Sequence, residues 1–531
     1  MTTTGTPFHV YDTTLRDGAQ QEGLTLSVAD KLAIAGHLDH LGVTYIEGGW
    51  PGAIPKDTEF FRRAAAELTL ENATLAAFGA TRKAGVAAAD DPQVRALVDS
   101  LAPVVTLVAK SDVRHVEKAL RTTPAENLSM VADTVRHLRS EGRRVFLDAE
   151  HFFDGHRHDP AYAVEVLRTA LAEGAEVVAL CDTNGGMLPV RIADVVHEVR
   201  EATQGALGIH CHNDTGCAVA NSLAAVDAGA VHVQGTLNGY GERTGNADLL
   251  TIVANLELKL GRPVLPAGRL ADATRIAHAV SEITNVPPYS RQPYVGASAF
   301  AHKAGLHASA IKVDPDLYQH TDPTRVGNDM RMLVSDMAGR ASIELKGREL
   351  GLDELDGDRE LVSRVTDRVK ALEAAGYTFE AADASFELLV RTERDGAAPS
   401  FYDVESWRVI TESKPGADAI SEATVKLLAG GQRQVATGEG NGPVNALDHA
   451  LRKALLPVYP ELDKLLLVDF KVRILDASKG TDAVTRVLIE TSDASTTWTT
   501  VGVGANIVEA SWQALGEGLV YGLLRQGVAR R

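Results

Sequence analysis

The strongest constraint on the fold is a repeated alternation of short apolar runs with amphipathic helical stretches, which begins near residue 8. The spacing of ~25 to 35 residues is typical of βα units that build a parallel sheet. Eight runs rich in Val, Ile and Thr are predicted to be strands: 8–15, 44–48, 74–78, 104–108, 145–148, 177–181, 207–212 and 231–236. Eight βα units in about 260 residues predict a (β/α)8 TIM barrel, in which the active site lies at the carboxyl ends of the strands.

The rest of the chain predicts further domains, because 531 residues are too many for one core at ~150 residues per domain. We predict a barrel over 1–263, a helical linker and flap subdomain over 264–383, and an α+β domain over 384–531. In the last segment a Gly-x-Gly turn that leads into a helix occurs twice, 64 positions apart, at 438–447 and 502–511. This repeat predicts an internal duplication with pseudo-twofold packing.

Composition excludes several classes of function. The net charge of −18 gives no basic field for a polyanion, so we expect no nucleic-acid partner. No segment has the ~18 apolar residues of a membrane span, and residues 1–5 lack the features of a signal peptide, so we expect a cytoplasmic protein and no membrane partner. The three cysteines are an odd count for a disulfide framework and suit a reducing compartment.

Polar residues collect at the predicted strand ends, and four of them predict a metal site. His210 and His212 are two apart in a strand, so their imidazoles should point to the same side. Asp17 follows the first strand and would add a carboxylate, and Asn246, after the eighth strand, could add an amide oxygen. This set suits a divalent cation such as Zn²⁺, Mn²⁺, Fe²⁺ or Co²⁺ with positions left open for substrate. Alone, Asp17 could equally be a helix cap or an ion-pair partner of Arg16.

Arg16 is predicted to bind an anionic substrate beside this metal. Its guanidinium stays protonated and presents a planar set of donors, which suits the carboxylate of a 2-oxo acid or the alkoxide formed when its carbonyl is attacked. A second histidine-containing segment, 300–309, lies beyond the barrel. It is either a solvated loop or a flap over the site.

Three motifs together resemble the family of 2-isopropylmalate, homocitrate and citramalate synthases. They are DTTLRDGAQ at 12–20, HCHND at 210–214 and GYGERTGN at 239–246. The resemblance extends over essentially the whole chain. Within that family the segments 49–57 and 404–409 are most similar to the long bacterial citramalate synthases.

The resemblance implies a metal-dependent Claisen condensation of acetyl-CoA, a co-substrate, with a 2-oxo acid. For the citramalate synthases the oxo acid is pyruvate. A cation, Mn²⁺, Mg²⁺, Zn²⁺ or Co²⁺, would chelate the oxo acid. The implied site residues are the metal ligands Asp17, His210, His212 and Asn246, the charge-stabilising Arg16, the substrate-orienting Gln20 and Thr183, the base Glu150 with His307 of its own or a neighbouring subunit, and Tyr318 near the substrate.

The resemblance also implies regulation. In this family the duplicated C-terminal domain is an allosteric module that binds a branched-chain amino acid at a dimer interface. For a citramalate synthase in isoleucine biosynthesis the expected effector is isoleucine. We therefore expect a homodimer.

Two alternatives remain open from the sequence. A larger 2-oxo acid would make the protein a 2-isopropylmalate or homocitrate synthase, and pocket differences of one methylene are worth only ~1 to 3 kcal/mol. A metal-dependent carbon–carbon lyase or aldolase on the same barrel is the other. The region after Tyr294 lacks the Cys-bearing loop of the related acyl-CoA lyases, and the duplicated domain favours a regulated synthase. A non-catalytic sensor is a remoter possibility, since every expected site residue is present.

Overall fold

The computed structural model describes residues 7–416, 418–475 and 477–531, the side chains of 477–479 excepted. Residues 1–5, which lack the features of a signal peptide, lie outside the described residues. The chain forms two compact units. The first contains residues up to 300 together with 321–329, and the second contains 301–320 and 330–531.

The first unit is a closed eight-stranded parallel barrel, which confirms the predicted fold class. Strands follow chain order around the barrel, and β1 pairs with both β2 and β8. The strands are β1 (His9–Asp12), β2 (Tyr45–Gly49), β3 (Thr74–Ala80), β4 (Val104–Lys110), β5 (Arg144–Glu150), β6 (Val177–Asp182), β7 (Leu207–Cys211) and β8 (His232–Gly235).

Helices cover the outside of the barrel. They bury their apolar faces against the strands, and Phe60, Leu138 and Val196 have no exposed surface. The helices are α1 (Val28–Leu41), α2 (Pro55–Glu67), α3 (Pro92–Asp99), α4 (Val113–Lys118), α5 (Pro124–Ser140), α6 (Phe152–His158), α7 (Pro160–Ala172), α8 (Pro189–Thr203), α9 (Ala218–Asp227), α10 (Leu249–Leu258) and α11 (Ala273–Thr284).

The barrel interior is layered, because alternate residues of each strand point inward. At the amino end, the rings of Tyr45, Phe146 and His232 pack together, with Tyr45 and Phe146 5.1 Å apart. One layer higher, the Tyr11 hydroxyl donates to Glu47 Oε1 (2.7 Å). The interior thus becomes polar toward the carboxyl ends of the strands.

The second unit begins with helices and two very short strands and continues into two antiparallel sheets. Its elements are β9 (Ala301–His302), α12 (Gly305–Ile311), β10 (Arg331–Met332), α13 (Arg340–Glu349), α14 (Arg359–Ala374), α15 (Asp383–Asp395), β11 (Asp403–Glu412), β12 (Ile420–Ala429), β13 (Gln432–Gly440), α16 (Pro443–Leu455), β14 (Leu466–Ile474), β15 (Thr485–Ser492), β16 (Thr497–Gly504) and α17 (Ile507–Arg525). None of the helices in the described residues has the length and apolar character needed to cross a bilayer.

The predicted duplication is present as two copies of a three-stranded sheet followed by a helix, β11-β12-β13-α16 and β14-β15-β16-α17. Equivalent glycines show why the Gly-x-Gly signal recurs. A Cβ on Gly438 would lie 2.4 Å from the backbone nitrogen of Ala450, and one on Gly502 would lie 1.9 Å from the carbonyl oxygen of Ala510. Only glycine lets each last strand approach its helix this closely.

The segment predicted as a flap has regular structure in the second unit. Ala301–His302 pairs in parallel with Arg331–Met332, and Gly305–Ile311 forms α12. Lys303 of this segment pairs with Glu380, and Lys312, just beyond it, pairs with Glu344. The proposed domain boundaries stay predictions. The strand-rich pattern begins at β11, after the amphipathic helix α15.

Candidate metal centre and barrel-mouth cavity

Three buried side chains from distant parts of the sequence converge at the carboxyl end of the barrel. Asp17 Oδ2 lies 3.1 Å from His210 Nε2 and 3.7 Å from His212 Nε2. The two imidazole nitrogens are 3.4 Å apart. These three are the only group of metal-ligating type, drawn from His, Cys, Asp and Glu, found within the described residues. The set is the one that the sequence analysis assembled from the ends of the first and seventh strands.

Gln234 of β8 fixes which nitrogen of His210 faces this group. The amide nitrogen of Gln234 donates to Asp148 Oδ1 (2.8 Å), so its carbonyl oxygen points to His210 Nδ1, also at 2.8 Å. His210 therefore carries a proton on Nδ1, and Nε2 is the ring nitrogen that faces Asp17 and His212. One carboxylate oxygen and two imidazole nitrogens thus meet in one small space.

The charge state of the site follows from burial and from the neighbours. Burial alone would raise the pKa of Asp17, but Arg16 and His210 outweigh it and hold that pKa below its usual range. Burial, with the charge of His210, lowers the pKa of His212 to about 4, so this ring is neutral at pH 7. Burial also acts to lower the pKa of His210, but Asp17 outweighs it and leaves the pKa raised.

The residues fit a bound divalent cation. One carboxylate and two imidazoles facing one point is a donor set for Zn²⁺, Mn²⁺, Fe²⁺ or Co²⁺. Asn246 pairs through its backbone with His212, and its buried Oδ1 has no hydrogen-bond partner among the described residues. Its amide nitrogen is occupied by the carbonyl of Tyr240 at 3.0 Å. This buried amide oxygen has no hydrogen-bond partner in the described part of the chain and lies next to a candidate histidine ligand, so it is suited to be a fourth metal ligand.

A cavity of about 640 Å³ lies above the three residues. Its lining includes seven residues predicted for the site or its metal: Arg16, Asp17, Gln20, Glu150, Thr183, His210 and His212. Hydrophobic lining comes from Trp50, Phe78 and Val108 among others. A cavity of this size with a few convergent polar groups is typical of a small-molecule site.

Arg16 is held rigidly in this cavity. Its Nε donates to Glu47 Oε2 at 2.6 Å, and its guanidinium lies 3.8 Å from the centre of the Phe78 ring. Its Nη1 is 3.6 Å from Asp17 Oδ1. Because Glu47 is fully buried and also accepts from Tyr11, the arginine cannot rotate away without leaving a buried carboxylate unpaired.

Glu150 and Thr183 occupy defined positions on the cavity wall. Glu150 ends β5 and forms an ion pair with Lys110, the last residue of β4. Thr183 follows β6, and its hydroxyl accepts from the backbone nitrogen of His151 at 2.8 Å. Gln20 lies in the short helical turn after Asp17 and is exposed to the cavity.

His307 and Tyr318 belong to the second unit, where they lie together. Their rings stack with centres 4.1 Å apart, and His302 packs against His307 at 6.1 Å. His307 lies in α12. The two residues that sequence placed near the substrate are therefore neighbours of each other, and their catalytic and binding roles stay predictions.

Sequence reasoning gave no role to Glu47, Asp148 or Gln234. The sequence does indicate that these residues face into the barrel, because in a barrel strand the residues two positions from an inward-facing residue also face inward. Gln234 follows His232 at this spacing, and Asp148 precedes Glu150. Their partners, however, lie on other strands, and sequence alone could not pair them. Burial and the neighbouring Glu47 raise the pKa of Asp148 to about 7.

Comparison with known proteins shows the family of the chain. The family model described as HMGL-like matches residues 8–280. A curated (R)-citramalate synthase of Streptomyces coelicolor is 67% identical over 522 residues, which cover 98% of each chain. The chain belongs to the (R)-citramalate synthase family. Two further (R)-citramalate synthases, from Aquifex aeolicus and a Synechocystis species, are each 48% identical, over 97% and 98% of this chain and 98% and 97% of theirs.

Two other family models match the second half of the chain. The model described as homocitrate synthase post-HMGL domain-like matches residues 294–376, and that of the LeuA allosteric (dimerisation) domain matches 380–523. The second range contains both copies of the duplicated sheet-and-helix unit.

Replacing Gln234 with leucine should weaken metal binding about 10- to 100-fold, because His210 would lose the partner that directs its Nε2 toward Asp17. Calorimetric titration of metal-free protein with Mn²⁺ or Zn²⁺ measures this directly. Gln292→Leu is the matched control, since Gln292 is also buried but bonds Asn238 and Asp248 instead. Equal affinity of Gln234→Leu and the unsubstituted protein would rule out this orienting role.

Proposed function

We propose that this protein condenses acetyl-CoA with pyruvate and water to give (R)-citramalate and CoA. The observation that carries the proposal is the convergence of Asp17, His210 and His212 beneath a cavity that also contains a fixed arginine. The relationship to (R)-citramalate synthases over nearly the whole chain supports it. The cavity provides the two groups that the reaction needs first, a cation site and a fixed positive charge for the oxo acid.

Metal ligation would come from Asp17, His210 and His212, with Asn246 as fourth ligand. A bound divalent cation polarises the keto group of a 2-oxo acid and takes up negative charge as that group is attacked. The buried position of the three residues excludes water from all but the open side of the site. The ion pair of Glu47 with Arg16 keeps a second positive group beside them.

Arg16 would bind the carboxylate of pyruvate or the oxygen on which charge develops. Its Nε is already occupied by Glu47, so the terminal nitrogens of the guanidinium are the ones that face substrate. Preorganised donors of this kind stabilise charge without reorganisation during the reaction. Thr183 and Gln20, on the same cavity wall, would orient the remaining oxygens of the substrate.

Carbon–carbon bond formation requires removal of a proton from the methyl group of acetyl-CoA. We assign this step to Glu150, which lines the cavity, with His307 as its proposed assistant. The carbanion attacks the keto carbon of pyruvate, and the resulting oxygen takes up a proton. Water then hydrolyses the thioester and releases CoA as the thiol. Lys110, paired with Glu150, holds the carboxylate at the wall of the cavity.

Thiol release measured in parallel with pyruvate, 2-oxobutyrate, 2-oxoisovalerate and 2-oxoglutarate tests the proposal. Release should be fastest with pyruvate, and Arg16→Lys should lower it by about 100-fold, since lysine cannot keep both the Glu47 contact and the planar donor set. Faster release with 2-oxoisovalerate or 2-oxoglutarate would instead favour a 2-isopropylmalate or homocitrate synthase. No release with any oxo acid would favour the lyase.

We further propose that two copies of the chain associate through the C-terminal domain. Phe470, Val472 and Ile474 alternate along the edge strand β14 and are 37%, 41% and 54% exposed. Apolar side chains that share a face of an edge strand are an association surface. The LeuA allosteric (dimerisation) model, which matches this region, supports a homodimer. Isoleucine, as end product of the pathway, is the proposed effector of the domain, and the cytoplasm is the proposed compartment.

Val472→Asp should weaken the dimer at least about tenfold, because association would bury an unpaired charge. Sedimentation at a series of protein concentrations measures the change, and inhibition by isoleucine should fall together with dimerisation. Val190→Asp is the control, since Val190 is a 74% exposed valine on barrel helix α8. A Val472→Asp protein that remains dimeric at every concentration would place the dimer interface on another surface.

A further inference from the structure

A cationic concavity lies on the barrel beside the cavity of the proposed active site. It is formed by α4, α6 and the residue after Thr183, and we call it the α4–α6 patch: Arg114, His115, Lys118, Asp154, Arg157 and Asn184. Three of these residues are permanently positive and one is a carboxylate. In the whole chain acidic residues outnumber basic ones by 71 to 53, so the patch has the opposite charge balance from the chain as a whole.

The positive groups of the patch are available to a ligand. The Arg157 side chain is 80% exposed, so its ion pair with Asp154 (3.1 Å) is solvated and contributes little. Lys118 forms no ion pair in the part of the chain that the structure describes. The Asp154 carboxylate also accepts from the amide of Asn184 at 2.7 Å, which spreads its charge over a second partner. Arg114 is bound to the buried Asp112 and is the least free of the three.

Short chain segments join residues of the patch to residues that line the active-site cavity. Helix α4 is bracketed by residues that line the active-site cavity, Lys110 before it and Leu120 and Thr122 after it. Arg114 follows Lys110 by four residues, a span of at most about 14 Å in an extended chain. The His115 ring stacks on His151 with centres 4.1 Å apart, and His151 directly follows Glu150.

The chemistry of the proposed co-substrate matches this arrangement. The reacting end of acetyl-CoA is a neutral thioester on a neutral pantetheine arm, and all negative charges of CoA lie at the opposite, nucleotide end. With the thioester at Glu150, the nucleotide must lie outside the cavity and on the barrel rim. On a protein with net charge −18, phosphate groups are repelled unless the rim is locally positive.

We infer that the α4–α6 patch binds the phosphate groups of CoA, with Lys118 and Arg157 as their ligands. The inference rests on the proposed function, because it takes acetyl-CoA to be the substrate. Arginine and lysine are the side chains that recognise phosphate, arginine as a bidentate donor and lysine as a point charge. The patch contributes to binding only and takes no part in the chemical step.

Three acetyl donors of decreasing charge test the inference: acetyl-CoA, acetyl-dephospho-CoA, which lacks the 3′-phosphate, and acetylpantetheine, which lacks every phosphate. The double variant Lys118→Gln/Arg157→Gln should raise the KM for acetyl-CoA about five- to tenfold, since two charge-assisted contacts are lost. The KM for acetylpantetheine, the KM for pyruvate and kcat should not change. Raised ionic strength should weaken acetyl-CoA binding more in the unsubstituted enzyme than in the variant.

The double variant Arg62→Gln/Arg275→Gln is the control, because it removes the same charge from exposed positions on α2 and α11, outside the patch. Its KM for acetyl-CoA should stay that of the unsubstituted enzyme. An effect confined to acetyl-CoA assigns the patch to the 3′-phosphate, and an effect shared with acetyl-dephospho-CoA assigns it to the diphosphate. Either result supports the inference.

Two results would overturn it: an unchanged KM for acetyl-CoA in the patch variant, or an equal rise with acetylpantetheine. Failure of the proposed function is a separate outcome, since it would appear as absent thiol release in the unsubstituted protein. In that case calorimetric titration with CoA alone decides whether the patch holds its phosphates, because the variant must then bind CoA more weakly than the control does.

Discussion

The candidate metal site depends on one carboxylate and two imidazoles that lie close together and buried. Asp17 Oδ2 and the Nε2 atoms of His210 and His212 lie within 3.7 Å of one another, and each faces the other two. A proton on Nε2 of His210 can pair that ring with Asp17, and Asp17 accordingly raises the pKa of His210. Such a proton serves one pair of these atoms, whereas a divalent cation can bind all three at once. The arrangement therefore suits a metal.

The barrel supplies the rigidity that this arrangement needs. Inward-facing residues of neighbouring strands form a polar layer directly below the site, in which Tyr11, Glu47, Asp148 and Gln234 hold one another and the groups above them. Glu47 fixes Arg16, and Gln234 fixes His210. Ligands on strand ends supported in this way keep their positions whether or not substrate is bound. Glu150, the proposed base, and its ion-pair partner Lys110 come from the adjacent ends of β5 and β4.

The barrel and the grouping of the three candidate metal ligands could be predicted from the sequence, for a physical reason. Strand-forming runs recur with a regular period, and strand ends in a closed parallel barrel must meet, so Asp17, His210 and His212 could be brought together without coordinates. The duplicated C-terminal unit was equally visible, because Gly438 and Gly502 are required by close helix contacts. Gln234 and Glu47 were not assigned, since their roles depend on partners on other strands. The structure of segment 300–309 was also difficult to predict, because its short strand pairs with the distant residues 331–332.

The central claim is that Asp17, His210 and His212 bind one cation. X-ray absorption spectroscopy of the zinc- or manganese-loaded protein counts the imidazole ligands of the metal directly. Two imidazoles with the remaining ligands oxygen are predicted for the unsubstituted protein, and one imidazole for His212→Ala at full loading. A metal with no imidazole neighbours, or a spectrum that His212→Ala leaves unchanged, would contradict the claim.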